Sequence, residues 1–186
     1  MNWATKNNPS KAKTMGKECF ICMNFRVNYI NIINIPNTVK IANNVNVRVF
    51  CKEDEDKKLV IEKLKFLLPF DLEKEKVKIE EKKAEGFDDK KINVIKVFLT
   101  KDRHINTFIE NLIIKLGEEK KTLLEQIGSR LDDDLNFFIR LDKNMLLKDK
   151  FVLTDAGDCY HIRINIAAFP KKKEKAVVVL KELFKC

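Results

Sequence analysis

From residue 45 onward the apolar residues alternate between a period of two and a period of about 3.6, and the order of those changes restricts the fold most. The stretch "VNVRVFC", residues 45–51, reads as a strand with Val45, Val47 and Val49 on one face and Arg48 on the other. A helix is expected over about 54–68, opened by Glu53, Asp54, Glu55 and Asp56, carried by Val60, Leu64, Leu67 and Leu68, and stopped by Pro69. Residues 75–83 alternate again through Val77 and Ile79. After the turn "GFDDK", residues 92–100 form a more apolar strand that reads as central. Residues 101–117 give the cleanest helix, with Asp102 as N-cap, a stripe of Ile105, Phe108, Ile109, Leu112, Ile113 and Leu116, and Gly117 at its end.

A shorter helix, about 118–127, carries Leu123, Leu124 and Ile127. Two strands follow, 135–142 with Leu135, Phe137, Ile139 and Leu141 inward, and 159–167 with Tyr160, Ile162, Ile164 and Ile166 inward. The last helix, 170–185, buries Ala176, Val177, Leu180, Leu183 and Phe184. The order β-α-β-β-α-α-β-β-α joins strands by hairpins as well as by helices. It predicts an α+β fold, a largely antiparallel sheet with helices packed on one face. A doubly wound sheet is disfavoured, because no Gly-rich strand-to-helix turn exists among five glycines.

Composition divides the chain near residue 45. Eleven of seventeen Asn fall within residues 1–46, and this segment supplies +5 of the net charge of +9. It has no sustained helical period. Three readings stay open for residues 1–38: a basic, partly disordered arm, an added strand, or translated upstream sequence with the start at Met15, Met23 or nearer residue 40. From the Asn skew and the missing periodicity, residues 1–38 are expected to add little to stability, and residues 39–186 to form one α+β domain. The longest uncharged run, Val27–Val39, is too short to span a bilayer, and no apolar leader precedes Cys19. Five cysteines do not suggest a disulfide framework, so the expected location is cytoplasmic, with no membrane contact.

Catalytic and metal chemistry find little support. Cys19 and Cys22 make half a zinc site, with only Cys51, Cys159 and His161 to complete it. Cys159 and His161 share a strand face but lie ~7 Å apart, too far for a direct nucleophile–base hydrogen bond. Asp132, Asp133 and Asp134, with Asp155 and Asp158, read as solvated loops rather than a cation site. No enzyme activity, metal or cofactor is expected.

The basic residues are more informative. Residues 140–186 hold eleven Lys or Arg against six acids. Arg140, His161 and Arg163 occupy outward strand phases, and Lys143 follows the first of these strands. Pro170 is a standard first-turn residue. Lys171, Lys172, Lys173 and Lys175 therefore crowd a helix start, where the macrodipole favours acids. Either they are solvated, or an anion such as an RNA phosphate completes them. Of the aromatics, only Phe138 and Phe50 occupy outward strand phases.

The segments "FCKEDEDKKLVIEKLKFLLP", "LGEEKKTLLEQIGSRLDDD", "FIRLDKNMLL" and "IRINIAAFPKKKEKAVVVLKEL" occur in that order. Together, over about residues 45–186, they resemble the archaeal exosome-associated predicted RNA-binding protein family. Its fold is similar to that of the large-subunit ribosomal protein that binds 5S RNA. The resemblance implies non-catalytic RNA binding, in RNA processing with the exosome or in ribosome biogenesis, with RNA and related proteins as partners. Matched positions are Arg140, Asp142, Lys143, Arg163, Pro170 and the lysines after it. The predicted RNA contacts are Arg140, Lys143, Arg163, Lys171, Lys172, Lys173 and Lys175. The alternative is a protein–protein interaction module that uses its sheet face as an exosome accessory.

Overall fold

Val45, Val47, Val49 and Cys51 are each fully buried, and the strand that carries them, β1 (Ala42–Lys52), is the middle of the sheet. The computed structural model describes residues 40–85 and 91–185. Four further strands are β2 (Ile79–Glu85), β3 (Lys91–Leu99), β4 (Asn136–Asp142) and β5 (Cys159–Ile166). They make a five-stranded sheet in the order β2-β3-β1-β5-β4, and every neighbouring pair is antiparallel. The domain is thus α+β with an open antiparallel sheet. The expectation for residues 1–38 lies outside the described residues.

Six helices occur among the described residues: α1 (Lys57–Leu67), α2 (Asp102–Leu116), α3 (Glu119–Glu125), α4 (Ile127–Arg130), α5 (Lys143–Leu146) and α6 (Lys173–Phe184). The valine face of β1 packs against α1 and α2, and the stripe Ile105, Phe108, Ile109, Leu112, Ile113 and Leu116 is buried throughout. Phe184 of α6 meets Phe137 of β4 at 5.8 Å between ring centres, so the same face is covered at its far side. The buried Tyr160 hydroxyl donates to the Val60 carbonyl at 2.9 Å and pins α1 to β5. Burial pushes that phenol's pKa well up, so it stays a donor.

Several boundaries differ from the sequence reading for identifiable reasons. α1 starts after Asp56, whose carboxylate caps the Lys58 and Leu59 amides at 2.9 and 3.3 Å. The earlier acid Glu55 is used elsewhere, on Lys143. Asp102 is not the N-cap of α2; Lys101 holds that position without a side-chain bond, and Asp102 sits in the first turn. β2 begins at Ile79 because Lys76 takes a left-handed φ of 55° and the chain turns before the strand. Leu135, expected as the first inward strand residue, has φ 65° and closes a turn with Asp132. α6 begins at Lys173, so Pro170 lies in the preceding loop and not in the first turn. The sequence reading contained neither α4 nor α5; at four residues each, they are too short to show a helical period.

Candidate nucleic-acid interface

The second face of the sheet is flanked by α4 at its β4 edge, where Ser129 and Arg130 share a hollow with Phe138 and Arg140, and its residues Arg48, Phe50 and Phe98 stay exposed. Its side chains are the outward phases of β1, β3, β4 and β5, and the strand register arranges them in rows. Lys96, Arg48, His161 and Arg140 stand side by side across four strands, with Glu80 of β2 at the end of the row. Two residues along each strand, Phe98, Asn46, Arg163 and Phe138 form a second row. A third row holds Asn44, Asn165 and Asn136. The Asn165 amide donates to Asn136 Oδ1 at 2.9 Å, and Asn136 in turn donates to Asp132 Oδ2 at 2.9 Å.

The charges of this face are poorly neutralised. Arg48 has no carboxylate partner among the described residues; its guanidinium lies 5.1 Å from the centre of the Phe50 ring. The buried Nε of Arg163 has no hydrogen-bond partner among the described residues. Among the described residues, Arg140 donates a single long bond, 3.4 Å, to the Asp155 carbonyl. Asp155 gives its carboxylate to Arg130 at 3.2 Å. At the sheet edge, Lys96 pairs with Glu80 at 3.0 Å. His161 stands between the arginines. Its pKa is pushed below the ordinary imidazole value by burial first and then by Arg48, Arg140 and Arg163. A neutral imidazole among three guanidinium groups marks a strongly positive potential.

Phe138 divides two hollows on this face. One, of about 260 Å³, is lined by Asn46, Arg48, Asp132, Phe138, His161 and Arg163 among others. The other, of about 310 Å³, lies between Phe138, Arg140, Arg130 and Asp155. A third hollow of about 240 Å³ adjoins Phe98 and is lined by Lys76, Lys78 and Lys101 together with Glu75 and Glu80. Phe98 is 47% exposed.

The sequence-predicted contacts separate into three groups. Arg140 and Arg163 lie on the open face. The lysines of the α6 approach lie at its margin, against the loop Asp132–Asp134: Lys173 is 3.3 Å from Asp133, and Lys171 is 4.0 Å from Asp134. Lys172 is the N-cap residue of α6 and exposed, as is Lys175 one turn on. Burial pushes the Asp132 carboxyl up, but hydrogen bonds from Asn136 and the Asp134 amide, with Lys173 nearby, outweigh it and hold the pKa low. The chain's own acids thus answer part of the charge that seemed to await an anion.

Lys143 corrects the reading. It is 1% exposed, and its ammonium is enclosed by Glu55 Oε1 at 2.7 Å, Asp158 Oδ1 at 2.5 Å and the Phe50 carbonyl at 3.0 Å. A cation so enclosed holds the β1–α1 loop to the start of β5 and has no donor left for RNA.

Sequence reasoning did not assign Arg48, Lys96, Asn46 or Phe98 to the site. For Phe98 a signal existed: it shares the phase of Lys96, opposite to the buried Ile95, Val97 and Leu99. The suggested cysteine chemistry has no geometry here. Cys51 and Cys159 are buried thiols whose pKa values burial raises. Cys19 and Cys22 lie outside the described residues. Among the described residues no cluster of His, Cys, Asp and Glu is arranged to hold a metal, and no helix is long and apolar enough to cross a membrane.

A family model described as RNA binding matches residues 44–167, which span β1 to the end of β5. RNA-binding protein PAB1135 of Pyrococcus abyssi is 32% identical over 142 residues, 76% of this chain and 92% of that protein. The crystal structure of protein AF2318 from Archaeoglobus fulgidus superimposes with a TM-score of 0.69 at 29% identity, covering 76% of this chain and 99% of that one. Mth689, a DUF54 protein from Methanothermobacter thermautotrophicus, gives 0.65 at 26% identity over 77% and 98%.

Proposed function

From the premise that this chain belongs to the RNA-binding family whose model spans residues 44–167, we propose that it binds RNA through the open face of its sheet, without catalysis. The observation that carries the proposal is the convergence of Arg48, Arg140 and Arg163 around His161, with little acid to neutralise them. Phosphates are the ligand such a face lacks. Lys171, Lys172, Lys173 and Lys175 extend the basic surface from its margin, as contacts of second rank. The resemblance stated above supports a cytoplasmic role in RNA processing, with the exosome or the assembling ribosome as context. A protein partner on the same face is the second reading, supported by the exposed Phe50 and Phe98.

Two outcomes test the assignment. Replacing Lys171, Lys172 and Lys173 together with Gln leaves the melting temperature nearly unchanged, because their ion pairs are exposed and worth little. The same variant binds a mixed pool of RNAs severalfold more weakly; unchanged binding removes the lysines from the site. The second outcome concerns pH. Arg48, Arg140 and Arg163 surround His161, with the Phe138 ring beside it and Asp132 in the same hollow. RNA phosphates offset the arginines and lift the imidazole's depressed pKa, so binding takes up a proton. Affinity therefore rises severalfold as pH falls from about 7.5 to 5.5, through the ordinary imidazole range. His161→Gln removes that rise. In the free protein the sign is opposite: the fold disfavours the imidazolium, so stability declines as pH drops below about 6.5. Anisotropy titrations across pH, beside melts, read both effects.

A further inference from the structure

We infer that the RNA bound here is single-stranded and lies across the strands, with its bases on the Phe98–Phe138 row and its phosphates along the Lys96–Arg48–His161–Arg140 row. The inference rests on the RNA-binding reading and adds the class of RNA and its direction.

Strand register supports this arrangement. On each of β3, β1, β5 and β4 the two rows are occupied by residues two apart: Lys96 and Phe98, Arg48 and Asn46, His161 and Arg163, Arg140 and Phe138. Residues two apart on a strand are ~6.7 Å apart on one face. The rows are thus parallel lines of different chemistry, one cationic and one ending in an aromatic ring at each side. A nucleotide carries its base and its phosphate on different sides of its sugar. A single strand crossing the sheet can therefore serve both rows at once.

Phe98 and Phe138 lie three strands apart, ~14 Å at the usual strand spacing. A sheet platform of this width suits about three nucleotides, the number stacked by known sheet-based RNA readers. Between the two rings stand Asn46, an amide able to meet a base edge, and Arg163, whose buried Nε has no partner among the described residues and whose charge adds a phosphate contact beside the cationic row. Each ring opens on a hollow that can admit a splayed base: Phe98 beside Lys78 and Lys101, Phe138 beside Arg48 and Arg163. Duplex RNA does not use such rings, because its bases are stacked on one another and its phosphates are read by shape. The charge of the face suits either form of RNA; the aromatic pair, Phe98 exposed and Phe138 half-buried beside its hollows, selects the single strand.

The experiment compares a fluorescein-labelled six-nucleotide oligouridylate with a labelled twelve-base-pair RNA duplex, by anisotropy at one salt concentration. The expected result is binding of the single strand at least tenfold tighter than the duplex. Phe98→Leu and Phe138→Leu keep apolar volume but remove the ring, and each is expected to weaken single-strand binding about fivefold or more while leaving duplex binding unchanged. Circular-dichroism melts of both variants establish that they remain folded. If the duplex binds as well as the single strand and the Leu variants bind both as the parent does, the single-strand inference fails while RNA binding stands. If neither RNA binds even at low salt, both readings fail and the face is left to a protein partner.

Discussion

Lys143→Met lowers the stability of the domain by roughly 3 kcal/mol, the low end for a buried pair, because the two carboxylates left without their counter-ion are only part-buried. For a domain of this size that is a fall in melting temperature of roughly 6–12 °C. The reason lies in the enclosure of the ammonium by Glu55, Asp158 and the Phe50 carbonyl. Lys52 remains on Asp158 at 3.1 Å and relieves part of the loss, which keeps the effect below the upper end for buried pairs. Burial lowers the Lys143 pKa, but its two carboxylates outweigh that and raise it. Burial raises the Asp158 pKa, but hydrogen bonds from Lys143 and Lys52 outweigh that and lower it. The signs follow. The Asp158 contribution is present above about pH 4 and is lost as acid protonates the folded carboxylate. The Lys143 contribution is present below about pH 10 and is lost as alkali deprotonates it. Adding Glu55→Gln and Asp158→Asn to Lys143→Met restores more than half of the lost stability, because no lone charge is then left behind. Thermal melts at neutral pH check the series; a Lys143→Met variant that melts with the parent contradicts the assigned role.

The triple variant Arg48→Gln, Arg140→Gln, Arg163→Gln shows the opposite separation of effects. Its melting temperature stays the same or rises, since three mutually repelling cations have been removed from one surface. Its affinity for RNA falls roughly a hundred- to a thousandfold, as three charge-assisted contacts are lost at a net value of about 1–1.5 kcal/mol each. Filter binding against a mixed pool of RNAs measures the fall. A loss of less than about threefold places the RNA elsewhere on the molecule.

The parts of the fold that the sequence made legible are those whose side chains obey a local period. β1, β4 and β5 could be read from Val45, Val47 and Val49, from Phe137, Ile139 and Leu141, and from Tyr160, Ile162 and Ile164, because one face of each is wholly buried. α2 was legible for the same reason, having an unbroken stripe. Where tertiary contacts decide, periodicity misled. Val77 continues the alternation of Ile79, yet Glu75 is drawn to His104 at 2.9 Å and to Arg103, and the chain turns before it pairs. Lys143 looked like its neighbours in the sequence; its partner Glu55 lies 88 residues away. The candidate site was half legible. Arg140 and Arg163 were assigned to the outward face from their strand phase, and the register puts them there. Arg48 had been placed on the outward phase of its strand, but what faced it was invisible, because the strand order β3-β1-β5-β4 brings together residues from both ends of the domain. Phe98 was hidden by Ile92 and Val94, which make the outward phase of β3 apolar as well and give the strand the look of one buried on both sides.

The salt dependence of RNA affinity, measured for the parent and for the triple arginine variant, decides whether the arginine face holds phosphate. Phosphates held by Arg48, Lys96, Arg140 and Arg163 give the parent a slope of log affinity against log salt of about −2.8 or steeper on single-stranded RNA, at about 0.7 for each phosphate. The lysines before α6 can only steepen it. The triple variant is expected to flatten the slope by about 2. A parent slope near zero, or equal slopes for a parent and a variant that both bind RNA, would contradict it.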